Sequence, residues 1–160
     1  MLLVEDNPDD VWLFTYALQN TGIPNPVKVV SDGEQALQYL KGEGAYTDRK
    51  RFPIPELIVL DLQMACMTGF EFLKWLRQEP ELRHLPVIVL ATSNFQEDVL
   101  RAYQLGANAF LSKTVDLKEF TATVKQMADF WLGLNQLTTL PLLPPSAETL
   151  IKPPPDKPTT

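Results

Sequence analysis

Residues 57–69 read LIVLDLQMACMTG, four aliphatic side chains in a row and then an acid. Leu57, Ile58, Val59 and Leu60 lack the alternation of a strand with one wet face, so they predict a strand covered on both faces, as in a parallel sheet between layers of helix. Asp61 at the end of such a strand is poorly solvated and requires a partner.

Working outward, similar runs occupy Leu2 to Val4, Val27 to Val30, Val87 to Leu90 and Ala109 to Leu111, separated by stretches of helical period. Asn7 is placed to cap a first helix that opens with Pro8, Asp9 and Asp10, and Val11, Phe14 and Leu18 share one face of it up to a stop at Gly22. Further helices carry Ala36, Leu37 and Leu40, then Phe70, Leu73 and Leu76, then Gln96 to Leu105. For the last, Asp116 with Glu119 forms an Asp-type capping box, Val115 and Phe120 have the spacing of a hydrophobic staple, and Phe120, Val124, Met127, Trp131 and Leu134 make a heptad-like stripe. Five strands alternating with five helices predict an α/β domain with right-handed crossovers, whose ligands bind at the carboxyl ends of the strands.

The bulk composition narrows the function. With 45% hydrophobic and 21% charged residues the chain has the profile of a soluble globular domain. A formal charge of -6 from 14 basic and 20 acidic residues opposes nucleic-acid binding. The single cysteine, Cys66, excludes an internal disulfide and reads as an inert loop residue. No apolar run is long enough for a membrane span and the start does not resemble a signal peptide, so the expected compartment is the cytoplasm.

Every polar oddity falls at a strand end: Glu5 and Asp6 after the first strand, Asp61 after the third, Ala91, Thr92 and Ser93 at the fourth, and Ser112 and Lys113 at the fifth. Clustered carboxylates persist beside a cation, and oxygen-only donors select a hard one, with Mg2+ the natural choice. Asp61 beside such an ion is placed to attack an activated phosphorus, and Lys113 to contact the phosphoryl oxygens.

LLVEDN, LIVLDLQMACMTG, PVIVLATS and GANAFLSK together resemble the receiver domain of two-component response regulators over about residues 2–134. The resemblance implies a flavodoxin-like sheet of order 2-1-3-4-5 and phosphorylation by a sensor histidine kinase. It makes Glu5 and Asp6 the acidic pair, Asp61 the phosphoacceptor, Lys113 the phosphoryl-contacting lysine, and Gln63 the donor of a backbone carbonyl to Mg2+. The insert GEGAYTDRKRFPIP, the DFW in the last helix and the Lys113-Thr114 pair resemble cyanobacterial regulators that partner phytochrome-type kinases. Those proteins stand alone without a DNA-binding domain and form homodimers through the last helix and adjacent segments. Receivers of this kind phosphorylate and dephosphorylate only themselves, so an enzyme acting on other substrates is not expected, and output passes through protein contact, phosphate relay or dimerisation.

Two positions depart from the family pattern. The switch hydroxyl falls on Ala91, with Thr92 beside it reaching the site only if the strand bends, while Phe110 retains the aromatic half of the switch. Thr114 replaces the usual proline, which predicts either a trans bond or a strained peptide. These departures motivate an alternative, a pseudo-receiver that docks on partners without phosphorylation; retention of Glu5, Asp6, Asp61 and Lys113 opposes it. Other phosphate chemistry fits less well: a haloacid-dehalogenase-type phosphatase needs an acid where Gln63 stands, and neither a GxxxxGK[ST] loop nor a Gly-rich Rossmann turn is present.

The expected boundaries are residues 1–136 for the receiver domain and 137–160 for a tail in which seven of 24 residues are proline. That composition predicts a largely disordered segment, with Leu140, Leu142 and Leu143 as candidate contacts and PPPDKPTT free. Arg49, Lys50 and Arg51 read as a solvated loop.

Overall fold

The computed structural model describes residues 1–24 and 26–137. The tail, including the leucines and the PPPDKPTT segment singled out above, lies outside the described residues. Five strands, β1 (Leu2–Val4), β2 (Lys28–Val30), β3 (Ile58–Leu60), β4 (Val87–Ala91) and β5 (Ala109–Ser112), form one sheet in the order β2-β1-β3-β4-β5, and every pairing is parallel. They alternate with α1 (Pro8–Gln19), α2 (Gly33–Lys41), α3 (Gly69–Gln78), α4 (Gln96–Gln104) and α5 (Leu117–Ala128). The flavodoxin-like order is the expected one.

Strand alternation divides the core. Leu2, Val4, Ile58, Leu60 and Val87 face α2 and α3, packing on Ala36, Leu40, Phe72, Leu73 and Leu76. Leu3, Leu57, Val59, Ile88 and Leu90 face α1 and α5, packing on Phe14, Leu18, Phe120, Val124 and Met127. The wholly apolar strands follow from this, since a polar side chain on either face would be buried without a partner.

The register sets the site. Val4 pairs with both Val30 and Leu60, and Ala91 pairs with Ser112. Glu5 and Asp61 therefore follow adjacent strand ends, and the Asp61 N–H donates to the Val4 carbonyl at 3.0 Å while the Lys113 N–H donates to Ala91 at 2.8 Å.

The helix starts follow their sequence signals in part. Asn7 accepts from the Asp9 N–H, Asp32 from the Gln35 N–H, and Asp116 from the Lys118 and Glu119 N–H groups. The reciprocal arm expected of the Asp116 box is absent, because Glu119 instead accepts the Thr114 hydroxyl at 3.1 Å. The expected staple is also absent: Val115 is fully exposed while Phe120 is buried, because Thr114 takes up the chain entry through hydrogen bonds to Asp116 and Glu119. The complete capping box lies at α3, between Thr68 and Glu71.

The stripe on the last helix divides. Phe120, Val124 and Met127 are buried, Trp131 packs partly against the same cluster, and Leu134 is exposed. From Asp129 to Leu134 the helix widens to π winding, which rotates later residues out of the stripe.

The insert's basic trio is not uniformly solvated. Lys50 and Arg51 are exposed, but the Arg49 guanidinium donates to the carbonyls of Tyr39 at 2.7 Å, Leu40 at 2.5 Å and Phe52 at 3.3 Å. It thereby gives a donor to the Leu40 carbonyl in the last turn of α2 and a second one to that of Tyr39, which also accepts from the Gly42 N–H.

Candidate functional site

The carboxyl ends of β1, β3 and β5 converge on one ammonium. Lys113 Nζ lies 2.7 Å from Glu5 Oε2, 2.7 Å from Asp10 Oδ2 and 3.0 Å from Asp61 Oδ1. The three N–H donors of a lysine thus have three carboxylate partners. Glu5 and Asp61 are buried. Glu5 also accepts from the Asn7 N–H at 3.1 Å, and Asp61 Oδ2 from the Gln63 N–H at 2.7 Å.

Burial pushes the carboxyl groups of Glu5 and Asp61 above their ordinary range, only partly opposed by Lys113. For Lys113 burial acts to favour the neutral amine, but its bonds to Asp10, Glu5 and Asp61 outweigh it and raise its pKa. The centre is therefore one firmly held cation among carboxylates that pay for their burial.

Asp6 is exposed and turned toward the loop after β3, where its Oδ2 accepts from the Ala65 N–H at 3.0 Å. Cys66, next in that loop, is exposed and adopts φ 65°. At the end of β4, Ala91 is buried and the chain bends at Thr92, which is exposed. The Thr92 hydroxyl reaches the side chain of Gln63 at 3.5 Å and makes no hydrogen bond to Asp61. Phe110 packs partly against Leu62, Val89, Ala91 and Ala102. The Lys113-Thr114 bond is trans, as no cis peptide occurs among the described residues.

The structure therefore brings Glu5, Asp61 and Lys113 into contact, sets Asp6 in the loop after β1 and Gln63 in the loop after β3 beside them, and leaves Thr92 at the rim. Asp10 is the contact that sequence reasoning missed. At the third position of α1 it reads as an acid favouring the helix N-terminus, and its spacing alone carries no sign of a contact with a lysine that follows β5.

A family model for the response regulator receiver domain matches residues 1–125, and the chain belongs to that family. Among relatives, it is 36% identical to the response regulator Rcp1 of Synechocystis sp. (strain PCC 6803) over 141 residues, covering 88% of this chain and 92% of that protein. The crystal structure of the phosphorylated cyanobacterial phytochrome response regulator RcpA superposes with a TM-score of 0.79 at 37% identity, covering 85% of this chain and 95% of that one. The Mn(2+)-bound form of Rcp1 gives 0.78 at 35% identity, covering 86% and 96%.

Proposed function

We propose that this chain is a signalling receiver that accepts a phosphoryl group on Asp61 from a sensor histidine kinase of the phytochrome type. The observation that carries the reading is the buried Asp61 carboxylate at the tip of β3, 3.0 Å from the Lys113 ammonium and beside Glu5. In the transfer an Asp61 oxygen forms a bond to phosphorus as the donor's P–N bond breaks and the imidazole leaves. Lys113 is at hand to receive the phosphoryl oxygens, and burial keeps water from competing. The chain catalyses its own modification and acts on no separate substrate.

Magnesium fits the donor chemistry. Glu5, Asp6 and Asp61 supply carboxylate oxygens, Gln63 supplies a backbone carbonyl, and the anionic surplus around Lys113 favours a hard dication. When bound, such a cation neutralises charge on the transferring group. As the side chains stand, no group of three acids, histidines or cysteines among the described residues forms a ready metal site; Lys113 holds the oxygens of Glu5 and Asp61 that the ion would use.

The kinase class rests on the similarity to Rcp1 and to RcpA, which is described as a phytochrome response regulator. Signalling is assigned to protein contacts and to a homodimer through α5, where Phe130 and Leu134 of the π segment are exposed. Phe110 serves as the aromatic switch, with Thr92 as the hydroxyl substitute. The receiver spans residues 1–136 and the tail 137–160. Neither nucleic acid nor a membrane is assigned as a partner: the chain is acidic, and no described helix is long and apolar enough to cross a membrane. The assigned location is the cytoplasm.

Buried Ala91 and exposed Thr92 favour a second reading, a module that binds partners without phosphorylation. Intact mass after incubation with acetyl phosphate separates the two. A phosphoryl adduct that requires Mg2+ and is lost in Asp61→Asn supports the receiver; no adduct in folded protein that binds Mg2+ supports the module.

A further inference from the structure

Lys113 shares its ammonium among three carboxylates, of which the proposed cation site calls on two, Glu5 and Asp61. Asp10 is the third. It stands on α1 rather than at a strand end, its position fixed by the Asn7 cap and Pro8 that start the helix, and its side chain retains partial exposure. No other carboxylate among the described residues lies within ion-pair distance of Lys113.

We propose that Asp10 is a positioning residue, the counter-charge to which the Lys113 ammonium yields when a divalent cation takes the oxygens of Glu5 and Asp61. This rests on the receiver reading above. A dication held by Glu5 and Asp61 would repel an ammonium that now lies 2.7 and 3.0 Å from their oxygens. Without Asp10 the lysine has no other described carboxylate to pair with, so it competes with the ion for both. With Asp10 the four-carbon stem swings toward α1 and the ammonium stays paired and close to Asp61. Asp10 acts through Lys113, and the cation's affinity carries the record of it.

The test is calorimetric titration of MgCl2 into full-length native protein, Asp10→Asn, Asp10→Glu, Lys113→Met and the Asp10→Asn/Lys113→Met pair, each checked for folding by circular dichroism. Asp10→Asn is expected to weaken Mg2+ binding about tenfold, and Asp10→Glu to restore most of it. In the Lys113→Met background the same Asn substitution is expected to cost less than about threefold, the effect of the lost charge alone. Should Lys113→Met fail to fold, the Nζ resonance of Lys113 in 15N-lysine-labelled protein gives the same answer. It is expected to remain protected from exchange on Mg2+ addition in native protein and to lose that protection in Asp10→Asn.

Native-like affinity in Asp10→Asn, an equal deficit with and without Lys113, or an unprotected Nζ in Mg2+-bound native protein overturns the proposal while leaving the receiver reading intact. No Mg2+ binding by native protein removes both.

Discussion

Lys113 Nζ stands 3.0 Å from Asp61 Oδ1, and the lysine side chain is only 10% exposed. One ammonium thus offsets the charge of two buried acids, Glu5 and Asp61, and removing it strands both. Breaking a buried pair from one side costs about 3 to 5 kcal/mol. Lys113→Met is expected to lose about 3 kcal/mol in urea denaturation, and adding Asp61→Asn to regain part of that loss. A double variant no more stable than Lys113→Met alone would show that Asp61 is not the charge left uncompensated.

The sign of the pH dependence follows from the same burial. The carboxyl groups of Glu5 and Asp61 are raised, so above the ordinary carboxylate range the native protein keeps protons that the unfolded chain has released. Stability contributed by these groups falls as pH rises toward their folded values and levels off above them. Lys113 is raised from 10.5, so its contribution is complete below that pH and adds no slope near neutrality. In cation-free buffer the thermal midpoint of Asp61→Asn is expected to fall less between pH 4 and 7, the conditions chosen for the scan, than that of native protein. Glu71, whose pKa is lowered by its hydrogen bonds to Thr68, opposes the trend in both proteins and cancels in the comparison. Parallel curves would place the raised group elsewhere.

Much of this was legible before the fold. The apolar run at residues 57–60 announced a strand buried on both faces, and acids and an amine at successive strand ends marked where chemistry converges. Spacing was a weaker guide where a side chain had a competing partner. Val115 and Phe120 have staple spacing, yet Thr114 takes Glu119 and Val115 is left in solvent. Arg49 looked like one charge of three because its acceptors are carbonyls, invisible in a residue pattern. Asp10 served equally well as a dipole partner, and only the placement of β5 beside β4 brings Lys113 to it.

Gly69 opens α3 against the end of β3, its N–H donating to the Leu62 carbonyl at 3.1 Å. A Cβ there would collide with the backbone carbonyl oxygen of Asp61 and the Cα of Leu62. Gly69→Ala is expected to cost about 1 to 3 kcal/mol through displaced backbone. Because the displaced strand end carries Asp61, phosphorylation should slow as well. Urea denaturation and the initial rate with acetyl phosphate check the two effects; native values for both would mean that the helix start shifts freely.

Arg77 holds the opposite end of the sheet. Its guanidinium donates to the carbonyls of Gly106, Arg83 and Leu85 and to the side chain of Asn108, joining α3 to the loops before β4 and β5. Lysine cannot reproduce that fork. Arg77→Lys is expected to lose about 1 to 3 kcal/mol in urea denaturation through acceptors left unpaired, while acetyl phosphate still labels the folded protein at a near-native rate. A loss of labelling with stability unchanged would contradict this purely structural role.

The most direct test of the central claim is to locate the phosphoryl group. Protein incubated with acetyl phosphate and Mg2+ is reduced with borohydride, which converts an aspartyl phosphate to homoserine, and is then digested and sequenced by mass spectrometry. Homoserine at position 61 and at no other acid is the predicted result. Homoserine at Asp6 or Asp10, hydroxynorvaline (the reduction product of a glutamyl phosphate) at Glu5, or no reduced acid in protein shown to carry a phosphoryl adduct, would contradict the assignment of Asp61 as the phosphoacceptor.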